Sequence, residues 1–238
     1  MPKILIIYCF SFLWFLSAVA FAEDKSFGIL SVENGLSIHK EQSLSPRDDK
    51  EEPDSTAKFN AVLPKVMGSA AASDWSANLE AKVKKDYDEF FAVIKEKPPY
   101  YFRYTFDVDY TLYSGTVLPF LSIAVGFDSY LGGAHGNYLL RTTTFNTENG
   151  LILRLSDIFT TEGLAFIIND INQQIKQDTE EQFFKDAEVV NLDNVDFYFD
   201  GNQIVFIFQR YDISPYSSGM PSFSYDVRRL QEQLFFIK

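Results

Sequence analysis

The sequence predicts an α+β fold: one antiparallel sheet, built from a meander and hairpins, with helices packed on one face. Three observations lead there. Strand-like stretches arrive in runs, segments of helical period stand apart from them, and the regular strand-helix alternation of a parallel α/β fold is absent.

The first 22 residues are excluded from the fold. Lys3 precedes an apolar run that begins at Ile4, and Ala20-Phe21-Ala22 has the small-x-small form that a signal peptidase accepts. Residues 1–22 are therefore expected to be a signal peptide cleaved near Ala22, which makes the remainder extracytoplasmic, periplasmic or secreted. The run Ile4 to Ala22 also approaches the length that crosses a bilayer, so an uncleaved anchor is the alternative and the one expected route to a membrane. Residues 23–238 are taken as a single α+β domain with two halves, 23–125 and 126–238.

Glu23 to Lys40 holds two short apolar runs around Asn34-Gly35, a dipeptide that suits a hairpin turn. Glu41 to Lys58, EQSLSPRDDKEEPDSTAK, has too little apolar content to pack and is expected to be a solvated loop. From Ser73 the spacing becomes helical, with Leu79, Val83, Tyr87, Phe90, Phe91 and Ile94 on one face, until Pro98 and Pro99 stop it. The stretch YYFRYTFDVDYTLYSG then alternates. Tyr100, Phe102, Tyr104, Phe106, Val108, Tyr110 and Leu112 point one way, and Arg103, Thr105, Asp107, Asp109 and Thr111 the other.

A second strand follows in LPFLSIAVGFDSYLGG. A third and fourth lie in NYLLRTTTFNTENGLILRL, joined across Asn149-Gly150. After Ser156 the helical period returns through Leu164, Ile167, Ile168, Ile171 and Ile175. Asp196 to Gln209 predicts a hairpin about Asp200-Gly201, and Val227, Leu230 and Leu234 suit a short closing helix.

Composition removes several function classes. The one cysteine, Cys9, lies in the signal segment, and Ile6, Ile7 and Tyr8 ahead of it are not the small residues of a lipoprotein site. Thiol nucleophiles, disulfides and cysteine zinc sites are thereby excluded from the mature chain. Without Lys3, 20 basic residues face 33 acidic ones, a net charge of −13. Such a surface repels nucleic acid and anionic lipid and favours solubility or a basic partner.

Individual motifs give little chemistry. DVDYT, Asp107 to Thr111, has the spacing of aspartyl-phosphate enzymes, but the alternation runs on to Leu112, so both aspartates belong to the polar face of a continuing strand. A serine hydrolase would need His39 or His135 as its base, yet no Gly-x-Ser-x-Gly elbow is present and YSSGM lies in a loop. Two histidines this far apart have no metal-ligand spacing, the pairs Asp48-Asp49 and Glu51-Glu52 fall in the solvated segment, and no nucleotide motif occurs. No cofactor, metal or catalytic residue is assigned. In LGGAHGN, Leu131 to Asn137, the glycines suit a sharp turn with His135 at its tip, its imidazole bonded to backbone.

Two longer segments carry a resemblance. YLGGAHGNYLLRTTTFNTENGLILRLSDIF, Tyr130 to Phe159, with FYFDGNQIVFIFQRYDISPYSSGMPSFSYDVRRL, Phe197 to Leu230, resembles the extracytoplasmic domain that ends lysozyme-sensing anti-sigma factors of the RsiV type. FNAVLPKVMG with the helix and strand after it, Phe59 to about Leu118, is similar to the companion module that precedes the deacetylase domain in proteins of the PdaC type. The resemblance implies an α+β fold, export and a role in the cell envelope. Sigma-factor control and deacetylation are not expected, because the sequence offers neither companion segment.

The expected function is an exported, non-enzymatic envelope domain that binds a cell-wall-associated ligand, peptidoglycan included, or a basic protein such as lysozyme. His135, Tyr211 and Tyr216 are its candidate contacts. The alternative is a peptidoglycan- or glycan-modifying enzyme that uses His135 and nearby acids.

Overall fold

The computed structural model describes residues 25–44, 55–96 and 103–231. Strands β1 (Lys25–Phe27), β2 (Leu30–Leu44), β3 (Ser55–Met67), β4 (Arg103–Ser114), β5 (Phe120–Tyr130), β6 (Asn137–Asn146) and β7 (Ile152–Leu153) make a seven-stranded sheet in chain order. Neighbours are antiparallel except β3 and β4, which run parallel and are joined through helix α1 (Ala70–Glu96). A crossover helix permits that pairing, whereas the short connections among β4 to β7 force antiparallel neighbours. The sheet is continuous through residue 125, which lies within β5.

Helix α1 starts ahead of the periodic residues. Ser69 Oγ accepts the Ala72 amide at 3.0 Å, a side-chain cap, and three alanines then make a first turn of high helix propensity. Its apolar face lies across the sheet. Phe90 packs edge-on against Phe59 and Phe106, and those two rings stack on each other at 5.0 Å. Farther along, Trp75 meets Phe145 edge-on and donates its indole hydrogen to Thr143 Oγ1 at 2.9 Å.

The other face is covered by a second layer. Strands β8 (Asp196–Asp200), β9 (Gln203–Ile207) and β10 (Ser222–Asp226) form a small sheet in the order β10-β9-β8. It shares a core with α2 (Leu155–Ile158), α3 (Thr161–Lys176) and α4 (Val227–Gln231), centred on Ile167, Ile171, Phe199, Ile204 and Phe206. The expected α+β fold is present: α1 packs on one face of the mostly antiparallel sheet, and the small sheet with its helices covers the other. The layers meet through stacked Tyr113 and Tyr198, centroids 4.3 Å apart, and through Phe199 N–H, which donates to buried Ser122 Oγ at 3.0 Å. Ser122 in turn bonds Thr144 Oγ1 at 2.7 Å, so the buried hydroxyls satisfy one another.

Strand β7 pairs with only Thr144 and Phe145 of β6. Side chains close part of the remaining edge. The Gln209 amide accepts from Leu140 N and donates to Leu140 O, as a strand residue would, and Asp196 accepts the Thr142 amide at 2.7 Å. Asp196 also takes bonds from Arg141 at 2.9 Å and Gln209 at 3.0 Å.

Two local expectations change. Asn34-Gly35 is not a hairpin: β2 runs straight through it with a register shift between Asn34 and Ser37, and the turn sits earlier, at Gly28-Ile29. Pro64, which cannot donate to a ladder, stands opposite that irregularity. Within the predicted loop, Glu41–Leu44 and Ser55–Lys58 are strand; residues 45–54 lie outside the described residues, as do the signal segment, Pro98, Pro99, Tyr100, Phe102 and Leu234. Among the described residues no helix is long and apolar enough to cross a membrane.

Candidate functional site

The β5–β6 corner and the β9–β10 connection come from distant parts of the chain and meet at one end of the large sheet. In the corner, Gly132 and Gly133 take φ of +79° and +148°, angles that a side chain resists, and nothing crowds Gly133. His135 Nδ1 donates to Gly136 O at 2.9 Å, and the residue is exposed. The glycine-histidine stretch is a turn whose imidazole bonds to backbone.

In the β9–β10 connection, Gln209 N donates to Asp212 Oδ2 at 2.8 Å and Tyr211 N to Ser214 O at 3.1 Å. That tight turn holds Tyr211 at φ +71°, a left-handed angle unusual for a bulky residue, and leaves it 58% exposed. A short 3₁₀ turn, Tyr216–Ser218, then brings Tyr216 back toward the corner.

All three candidate residues converge. The rings of His135 and Tyr216 stack at 4.0 Å with 26° between planes, and Tyr211 tilts against Tyr216 at 6.1 Å. Tyr216 O–H donates to Gly136 O at 3.1 Å, so one carbonyl accepts from both loops. Arg210 joins them: its guanidinium lies 4.4 Å from the Tyr216 ring centre and 5.8 Å from that of Tyr138, and it donates to Tyr216 Oη at 3.3 Å.

Beside this stack runs a polar row set by strand register. His39 pairs with Asn60, Asn60 with Asp107, Asp107 with Asp128 and Asp128 with Tyr138, all on the face opposite α1. Asp109, two residues along from Asp107, faces Gly126, where an added Cβ would meet Tyr138 Oη at 2.7 Å and Asp109 Oδ1 at 2.9 Å. Burial, and then repulsion from Asp107 and Asp128, push the Asp109 carboxyl up to about 6. Burial and Asp107 raise Asp128 also, against the pull of Arg210. The Tyr138 phenol is shifted upward by burial and then by Asp109 and Asp128, so it stays protonated.

The arrangement offers flat ring faces, one cation and several carboxylates, the vocabulary of recognition surfaces. A groove of about 450 Å³ lies elsewhere, on the α1 side, lined by residues that include Asn34, Pro64, Lys65, Ser76 and Glu80. Among the described residues no cluster of three or more His, Asp or Glu could hold a metal ion.

Comparison with known proteins adds a match over part of the chain. Residues 156–224 match the family described as "Protein of unknown function (DUF3298)". The DUF3298 match runs from α2 into β10, so it takes in Arg210, Tyr211 and Tyr216 but not His135. Two crystal structures of DUF3298 proteins resemble the chain in fold. A Bacteroides fragilis member is 21% identical with a TM-score of 0.57, covering 90% of this chain and 96% of its own. A Pseudomonas aeruginosa PAO1 member is 13% identical with a TM-score of 0.54, covering 87% of this chain and 94% of its own. No curated protein matches.

Sequence alone does not single out Arg210, Asp128 or Tyr138. Arg210 adjoins Tyr211, which is a usable signal; Asp128 and Tyr138 gain meaning only from the register that sets them side by side.

Proposed function

We propose that the chain is an exported binding module of the cell envelope, and that the His135, Tyr211, Tyr216 and Arg210 end is the surface that meets its ligand. The observation that carries this is Tyr211. A tyrosine held at φ +71° costs the fold of order 1 kcal/mol or more, and more than half of its surface is open to solvent. Backbone strain kept for an exposed ring is best explained by contact with something outside the chain.

The partner we favour is a basic protein such as lysozyme, in keeping with the resemblance to RsiV-type domains. Aromatic and arginine anchors flanked by charge are the usual centre and rim of protein interfaces. The acids of the adjoining row and the net charge of −13 on the mature chain would steer a basic partner over about 8 Å at physiological salt. A second reading, cell-wall glycan stacked on the rings, is favoured by the side-by-side Tyr211 and Tyr216, 6.1 Å apart. His135 holds the corner in either reading; its Nδ1 is committed to Gly136 O, and its ring is stacked on Tyr216.

Calorimetric titration of the mature chain into lysozyme, and separately into soluble peptidoglycan fragments, at low and moderate salt tests this. Salt-sensitive binding to lysozyme, lost in Tyr211→Ser, is expected. Binding to glycan alone would select the second reading, and no affinity for either would remove the proposal. Release of modified peptidoglycan products, abolished by His135→Ala, would replace it with an enzyme.

A further inference from the structure

The polar row contains a hydrogen-bonded chain at the end remote from the aromatic patch. Ser37 Oγ lies 3.1 Å from His39 Nε2, His39 Nδ1 lies 3.2 Å from Asn60 Oδ1, and Asn60 Nδ2 donates to Asp107 Oδ1 at 2.7 Å. The direction of each bond is set by the hydrogens each group carries. A carboxylate only accepts, so the amide nitrogen faces Asp107 and the amide oxygen is left for the imidazole. Nδ1 must then carry the ring hydrogen. Nε2 of the neutral ring holds the lone pair, and Ser37 O–H donates into it.

Backbone geometry sets every link. Ser37 and His39 are two residues apart on one strand and so share a face, while Ile38 between them packs into the core on the α1 side. His39 stands opposite Asn60, and Asn60 opposite Asp107, in unbroken register. The order is that of a nucleophile, a base and a positioned orienting group, the arrangement by which serine is made reactive on unrelated folds.

We propose that Ser37 is a nucleophile activated by His39, with Asn60 and Asp107 as positioning residues, and that it accepts acyl groups from esters with good leaving groups. Ser37 Oγ attacks the acyl carbon while its proton passes to His39 Nε2. The tetrahedral adduct collapses, the bond to the alcohol oxygen breaks, and the imidazolium returns the proton to that departing oxygen, leaving acyl-Ser37. Water, deprotonated by the same nitrogen, then releases the carboxylic acid and restores the serine. The balance needs only ester and water.

The setting limits the substrate. Ser37 and His39 are both exposed, and the groove near this strand opens on the opposite face. The N–H groups of a sheet lie within its plane, so the face presents no convergent pair to hold an oxyanion. Activated esters, which need little such help, are the class that fits. This proposal does not depend on the aromatic end binding anything.

The mature chain is treated with a fluorophosphonate probe, with 4-nitrophenyl acetate in a parallel arm, and the labelled serines are mapped by peptide mass. Ser37 should label at least about tenfold faster than exposed Ser43, and Ser37→Ala should remove the stoichiometric burst of nitrophenol. His39→Gly should slow labelling of Ser37 by ~100-fold, with recovery when free imidazole is added. Asn60→Leu should slow it only while His39 is present, so the double variant should be no slower than His39→Gly alone. Labelling spread evenly over exposed serines, or equal rates with and without His39 in variants whose circular dichroism is unchanged, would overturn the proposal.

Discussion

The imidazole of His135 rests on the phenol ring of Tyr216, centroids 4.0 Å apart, and both side chains donate to the same oxygen, Gly136 O. Two connections far apart in sequence are thus fastened at one atom. Tyr216→Phe keeps the stack and removes the phenolic hydrogen. It is expected to cost about 0.5–1.5 kcal/mol, a fall of a few degrees in thermal midpoint. His135→Ala loses ring contact as well and should cost somewhat more. Urea unfolding of the two variants beside the parent checks the order.

Tyr211 is expected to behave in the opposite sense. Because it occupies a left-handed angle, Tyr211→Gly relieves strain, and the thermal midpoint should hold or rise. Ligand affinity should fall in the same variant. A clear loss of stability would mean that the ring supports the fold, and the argument for an external contact would fail.

Asp109 gives a pH signature. Its carboxyl is raised from the ordinary 3.8 to about 6, so between those values the folded chain holds a proton that the unfolded chain has released. Stability contributed by this group therefore falls as pH rises from about 4 to about 6, and the charged carboxylate is a burden above that. Asp109→Asn should stabilise the chain at pH 7 by about 1 kcal/mol once solvent screening is allowed for, and by almost nothing at pH 4. Denaturant titrations at the two pH values decide; an equal gain at both would rule the carboxylate out.

Asp196 fastens the two layers. Its side chain is 8% exposed and accepts from Arg141, Thr142 N and Gln209. Asp196→Ala leaves those donors without their acceptor and should cost about 2–4 kcal/mol. Hydrogen exchange should show the Thr142 amide losing protection before the centre of β5 does.

Much of this architecture is legible in the sequence because it depends on local period. Leu79 to Ile94 marks α1, the alternation through Tyr104 and Val108 marks β4, and Asn149-Gly150 and Asp200-Gly201 fall at turns as expected. The failures have physical causes. Asn34-Gly35 suits a tight turn and also suits a strand irregularity, and long-range pairing with β3 decides between them. Strand β10 escapes notice because Ser222 and Ser224 look like loop, although Phe223 between them is buried against β9. His135, Tyr211 and Tyr216 can be named from sequence; that they touch, and that Asn60 links His39 to Asp107, depends on register between segments far apart in the chain.

The Gln209 amide has one more effect. By meeting both backbone groups of Leu140, it occupies the bonds through which a neighbouring molecule could add itself as the next strand. The sheet is finished at that point rather than left open to growth. In a crowded compartment, this one side chain helps to decide whether copies of the protein remain separate or polymerise edge to edge.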